Sequence, residues 1–220
     1  MNLNSDFSRR AVVHAAHLPW VASPIPGVER RMLDRVGDEI ARATSIVRYA
    51  PGSRFSPHVH YGGEEFFVLD GVFQDEHADF PAGSYIRNPP QTQHSPGSEQ
   101  GCMIFVKLWQ FDLDDRTAVS IDTNEINRKV VAERDGVTII PLFRDVREDV
   151  RLEHWPSNAE FTFQPQGGLE LLVLSGAFTD GEDNLVEHSW LRLPVGAPLQ
   201  VSAGSMGCRV WVKEGHLRLA

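Results

Sequence analysis

The segment Gly52-Ser53-Arg54-Phe55-Ser56-Pro57-His58-Val59-His60-Tyr61-Gly62-Gly63-Glu64 brings two imidazoles and a carboxylate close together in the chain. In a β-strand the side chains at i and i+2 share a face, so His58 and His60 project together. Glu64 follows past a Gly-Gly turn and can return to the same point from a neighbouring strand. Two imidazoles and a carboxylate suit a divalent transition metal such as zinc, iron, manganese or nickel. A further histidine on an adjacent strand would complete the set. His94, at the end of Asn88-Pro89-Pro90-Gln91-Thr92-Gln93-His94, is the candidate.

The elements that must position these groups read as short strands. The 14 prolines and 18 glycines are spread throughout and leave little room for long helices. Between them lie β-branched and aromatic runs such as Thr44–Tyr49, Phe66–Leu69, Met103–Val106 and Val137–Ile140. Closely spaced strands with turn signals indicate a β-sandwich or barrel. Val36-Gly37-Asp38-Glu39 reads as a hairpin turn, and no convincing amphipathic helix is visible. Residues 112–136 are rich in charge and poor in large apolar side chains, and read as a linker.

The two halves repeat at an offset of about 105 residues. Glu64–Phe73 corresponds to Leu169–Phe178, Gly62-Gly63 to Gly167-Gly168, and Gly101–Lys107 to Gly207–Lys213. One β-domain duplicated gives an N-terminal domain over 1–111, a linker over 112–136 and a C-terminal domain over 137–220. Cys102 and Cys208 fall at equivalent strand positions, where core packing is the expected role.

Composition excludes several classes. With 41% hydrophobic and 23% charged residues the chain is that of a globular protein, not of a disordered or fibrous one. The net charge of −9 gives no general attraction for nucleic acid or anionic membranes. No apolar run is long enough to span a bilayer. Residues 1–10 are polar and do not read as a secretory signal. Two cysteines cannot form a disulfide framework, and a cytoplasmic location is expected.

The site stretches resemble the two cupin motifs. The first runs Gly, five residues, His-x-His, three residues, Glu, six residues, Gly, and fits Gly52, His58, His60, Glu64 and Gly71. The second fits Gly83, Pro89 and His94, departing at Gln91, where Gly is usual, and at Ser98, where Asn is usual. Arg42–Gly52, Gly62–Phe66 and Ala82–Tyr85 resemble the ChrR-type cupin family more closely still. The resemblance implies an all-β fold of two tandem cupin jelly-roll barrels, a bicupin. It carries His58, His60, Glu64 and His94 over as ligands of one divalent transition metal per chain. Zinc is the expected occupant, with iron, manganese and nickel as alternatives. Glu65 is the rival carboxylate; the spacing to Gly71 favours Glu64, and alternation turns Glu65 to the other face. In the second half the same template meets Phe163, Pro165, Leu169 and Gln200, so that half is expected to be metal-free with an apolar interior. Glu170, the counterpart of Glu65, survives there, which favours a structural role for both.

Among the remaining candidates, His77 is placed near the barrel mouth, and Tyr61, Phe55 and Arg87 flank the motifs and are candidate pocket residues. His14, His17, His154, His188 and His216 have no partner spacing. Two functions compete. The family's namesake restrains an extracytoplasmic-function sigma factor and responds to oxidative stress, which implies a regulatory or sensory metal protein. Its sigma-binding helical zinc domain uses His-x-x-x-Cys-x-x-Cys. The chain has no such arrangement, so tight sigma-factor binding is not expected. The alternative is a mononuclear metal-dependent dioxygenase acting on a small molecule such as a β-diketone. A small-molecule ligand in the first barrel and a homodimer are compatible with either.

Overall fold

The structure, a computed structural model, describes all 220 residues except Glu39, Ala132, Glu182, Leu219 and Ala220. The chain is all-β, with two single-turn 3-10 helices at Ala15–His17 and Thr123–Glu125. It divides into two compact units: Met1–Ser5 with Pro19–Glu125, and Asp6–Leu18 with Ile126–Ala220.

In the first unit the strands order as Asn2–Leu3, Val28–Gly37, Ala41–Tyr49, Cys102–Leu108, Glu64–Gln74, Ser84–Asn88 and Val119–Asp122. In the second they order as Lys129–Val130, Thr138–Arg144, Asp149–Trp155, Leu199–Glu214, Leu169–Asp180, Ser189–Leu193 and Ala11–His14. All pairings along both paths are antiparallel. The expected hairpin turn closes with Gly37 opposite Ala41; Glu39 within it lies outside the described residues.

Each sheet packs one face into a core, as period-2 alternation requires. Phe66, Val68, Ile86, Ile104 and Val106 form that face in the first unit, and Leu169, Leu171, Val173, Leu191 and Val210 in the second. Gly71 and Gly176 mark the same irregularity in both. A Cβ there would lie 2.2 Å from the Gly101 carbonyl oxygen and 2.1 Å from that of Gly207, and both glycines have positive φ.

The stretch expected to be a linker is structured, and the units do not follow the 1–111 and 137–220 division. Val119–Asp122 pairs with Ser84–Asn88, setting Val119 opposite Arg87. Ala11–His14 pairs with Ser189–Leu193, setting Ala11 opposite Arg192. The segment that leads into each repeat therefore lies in the other repeat's unit. Only two apolar side chains, Val119 and Ile121, mark the strand inside a charged stretch, too short an alternation to be read as a strand.

The outer face of the three central strands carries a buried row of charge. Glu65 lies opposite both Arg87 and Lys107, each 1% exposed. Glu170 likewise lies opposite Arg192 and Lys213. Buried ions survive only when hydrogen-bonded and compensated, and these are. The Tyr85 hydroxyl donates to Glu65 at 2.5 Å, and the Lys107 ammonium donates to Thr44 at 3.1 Å. Arg87 meets Asp115 at 2.6 Å and stacks 4.2 Å from the Phe111 ring. In the second unit Trp190 donates to Glu170 at 2.8 Å, Lys213 meets Glu148 at 3.0 Å, and Arg192 lies 4.2 Å from the Phe7 ring.

Candidate metal centre

A two-stranded ladder sets His94 directly opposite His58. His60 stands just beyond it, and Glu64 opens the strand Glu64–Gln74. His60 Nε2 lies 3.2 Å from His58 Nε2 and 3.3 Å from Glu64 Oε2, and His94 Nε2 lies 3.5 Å from the same oxygen. One donor atom from each of the four residues falls within 4.8 Å of all the others. The turn that returns Glu64 to the histidines has to be glycine. A Cβ on Gly62 would lie 2.2 Å from the Trp109 ring, and one on Gly63, at φ +76°, would lie 2.4 Å from the Phe111 ring.

Neighbouring groups set the tautomers. The Thr92 hydroxyl donates to the Pro89 carbonyl at 2.8 Å, so its oxygen is left to accept from His60 Nδ1 at 3.1 Å. His60 therefore carries its proton on Nδ1 and turns the Nε2 lone pair toward the cluster. His94 Nδ1 makes no hydrogen bond of good geometry, but Asp75 Oδ2 lies 3.4 Å away and its charge favours a proton on that nitrogen. Asp75 is itself fixed by the backbone N–H groups of His77 and Ala78. Burial pushes the Glu64 carboxyl up to about 7, opposed by a hydrogen bond from Asn88 and reinforced by Asp75. Burial, followed by the neighbouring His94 and His58, holds His60 down at about 3. His94 is lowered by burial and by His58, against the opposing charge of Asp75.

These residues fit a metal ion. His60 Nε2, His94 Nε2 and Glu64 Oε2 are three acceptors facing one another, and a single proton on Glu64 can serve only one contact. Atoms about 2.1 Å from a shared ion sit roughly 3.0 Å apart at right angles and roughly 3.4 Å apart in a tetrahedron. The observed separations of 3.2 to 3.5 Å match that range. Replacing Thr92 by Val is expected to free the His60 tautomer and weaken divalent-metal binding roughly tenfold. Competition against a chromophoric chelator reads this, and an unchanged affinity would remove Thr92 from the account.

A cavity of about 970 Å³ reaches His58, His60 and Glu64, with Val28, Tyr49, Phe55, Tyr61, Leu108 and Trp109 among its walls. Burial, with Glu64 and Cys102 nearby, raises the Tyr49 phenol, which therefore keeps its proton and can donate. Of the flanking candidates, Phe55 and Tyr61 line this cavity. Arg87 does not: it shares the outer face with Glu65, because alternation that turns Glu64 inward turns both of them away. His77 is exposed and lies outside the lining. Thr92, Asp75 and Tyr49 carry no spacing signal, since their roles arise from contacts between segments distant in sequence. Cys102 and Cys208 are free and buried in the two cores, and burial raises their thiols to about 11 and about 12.

In the second unit Phe163 lies opposite Leu199, as His58 lies opposite His94. The counterpart of His94 is thus Leu199 rather than Gln200, a one-residue difference that only strand register reveals. Leu169 and Leu199 are 1% and 2% exposed, and Phe163 packs on the same core. The interior is not wholly apolar. Arg134 grips Glu153 at 2.6 and 2.9 Å, Arg151 and Trp155 add contacts at 2.8 and 2.7 Å, and the Arg134 guanidinium lies 5.3 Å from the Phe163 ring. Burial alone would raise Glu153, but the hydrogen bond from Arg134 and the charge of Arg151 hold it below the usual carboxylate range.

Residues 8–112 match the sequence model of the ChrR Cupin-like domain. Over that stretch the chain is similar to the ChrR Cupin-like domain. The matched range follows the sequence repeat, including the leading strand Ala11–His14, rather than the spatial unit. Comparison with the curated proteins gives no match. Among solved structures, a candidate dioxygenase of Nostoc punctiforme has 15% identity and a TM-score of 0.76, covering 94% of this chain and 82% of that one. The Escherichia coli pirin YhhW in complex with nickel(II) has 14% identity and a TM-score of 0.66, covering 94% and 98%. A point mutant of salicylate 1,2-dioxygenase from Pseudoaminobacter salicylatoxidans has 14% identity and a TM-score of 0.61, covering 79% and 70%. At these identities the likeness establishes the cupin fold. No helix among the described residues is long and apolar enough to cross a membrane.

Proposed function

We propose that the protein is a bicupin whose first barrel binds one divalent metal through His58, His60, Glu64 and His94 and acts on a small molecule as a mononuclear dioxygenase. The observation that carries this reading is the cavity: three of the four candidate ligands line a space of about 970 Å³ with aromatic and aliphatic walls. Catalytic pockets have this character, whereas an ion serving stability alone needs no opening. Bound there, a six-coordinate ion such as Fe²⁺ would retain two positions and supply O₂ chemistry. Thr92 and Asp75 orient the imidazoles, Tyr49 offers a protonated hydroxyl at the wall, and Trp109 and Leu108 supply apolar wall. Dioxygenases among the proteins of like fold support the reading. The second barrel, with Phe163, Leu169 and Leu199 in place of ligands, is a metal-free stabilising half. The two free, buried cysteines favour the cytoplasm.

A second reading, a metal-dependent sensor or regulator, is favoured by the ChrR match. The test loads the purified protein anaerobically with Fe²⁺ or Zn²⁺ and follows O₂ consumption with acetylacetone and with small carboxylic acids. The dioxygenase reading expects uptake only with iron, and none in His60→Ala. Inertness of the iron form toward both substrate classes, with zinc as the metal purified from cells, would transfer the assignment to the sensor.

A further inference from the structure

We propose that Arg30 is the anion-binding residue of the cavity, and that the molecule it receives is a small carboxylic acid with an apolar body. This rests on the reading of the cavity as a substrate site. Arg30 lies on Val28–Gly37, directly opposite Val47, on the face that also carries Val28 opposite Tyr49. Arg30, Val28 and Tyr49 all line the cavity. The Arg30 Nε is buried and makes no hydrogen bond, and among the described residues no carboxylate pairs with this guanidinium. Arg30 is half-buried, so a carboxylate entering the cavity would give its guanidinium a counter-charge among apolar neighbours.

The charge of the cavity points the same way. The chain carries −9 overall, yet the charged lining outside the candidate ligands is Arg30 and Arg54. Arg54 is 82% exposed and reaches toward Glu99 at 3.9 Å, so it belongs to the rim. Arg30 remains as the inner cation, and a guanidinium fork matches a carboxylate in two parallel hydrogen bonds. A phosphate ester would call for several cations or a cluster of backbone N–H groups, and the walls here are aromatic and aliphatic. The second unit supplies an internal comparison. Ile139 lies opposite Glu153 where Arg30 lies opposite Val47, so the half without the histidines also lacks the arginine. The same comparison shows that an apolar residue is accommodated at this strand position.

The test measures binding of benzoate and hexanoate, and of the neutral amides benzamide and hexanamide, by calorimetry and by tryptophan fluorescence. Each is titrated into the whole chain, metal-free and Zn²⁺-loaded, for the wild type, Arg30→Met and Arg30→Lys. The expected result is a preference for acid over amide of roughly ten- to a hundredfold in the wild type. Arg30→Met should lose it, Arg30→Lys should keep part of it, and metal content should be the same in all three. Equal binding of acids and amides, absence of acid binding up to millimolar concentration, or a preference that survives Arg30→Met would each overturn the proposal. Metal content separates the two readings. Metal bound without an Arg30-dependent preference removes the carboxylate, while an Arg30-dependent preference in a protein that binds no metal removes the metal centre.

Discussion

Replacement of Glu65 by Ala is expected to lower the unfolding free energy by ~3–5 kcal/mol, the cost of stranding buried charges. Arg87 and Lys107 flank Glu65 on the neighbouring strands at 1% exposure; Arg87 keeps Asp115, whereas Lys107 keeps the neutral Thr44 hydroxyl and has no access to water. The Tyr85 hydroxyl also loses its acceptor. Glu65→Gln, which keeps an acceptor for Tyr85 but removes the charge, should fall between the wild type and Glu65→Ala. Because Glu65 faces away from Glu64, the metal content of the folded fraction should not change. Denaturant titration measures the effect, and a loss under ~1 kcal/mol, the scale of an exposed ion pair, would mean that the buried row is not an electrostatic unit.

Acidification is the second large lever. Burial raises Glu64 to about 7, so in the metal-free protein its carboxyl holds a proton at and below neutral pH. His60 sits at about 3 and remains a neutral ligand through the same interval, and burial with His58 lowers His94 as well. Metal binding below pH 7 must then displace the Glu64 proton. Affinity should fall about tenfold per pH unit, roughly a hundredfold from pH 7 to pH 5. The sign for stability is the reverse. A carboxyl whose folded pKa is raised favours the metal-free fold at low pH, and that contribution, roughly 3 kcal/mol, is lost as pH rises from 4.5 to about 7. Metal titrations at pH 7.5, 6.5 and 5.5 decide the matter. A flat profile would exclude Glu64 as a ligand, and a slope of two protons would show that an imidazole titrates as well.

The ligand set was legible in sequence because strand geometry makes it local. His58 and His60 share a face by alternation, and a Gly-Gly turn returns Glu64 four residues later. The same alternation separated Glu64 from Glu65. The repeat was legible because both halves keep the strand that carries Gly71 or Gly176 and the buried Glu, Arg and Lys. What required the structure is non-local. The position of Leu199 depends on the register of a strand pair, and sequence offset alone pointed to Gln200. The leading strands Ala11–His14 and Val119–Asp122 pair with partners far along the chain, and nothing in their composition names those partners. Asp75, Thr92 and Arg30 are ordinary polar residues until the fold sets them beside His94, His60 and the cavity.

The central claim is a single metal centre in the first barrel, and elemental analysis of the purified chain beside His58→Ala/His60→Ala tests it most directly. The account predicts one divalent metal per chain in the wild type and none in the double variant, with the second unit's Phe163, Leu169 and Leu199 contributing no site. A content near two per chain, or one that survives loss of both histidines, would contradict it.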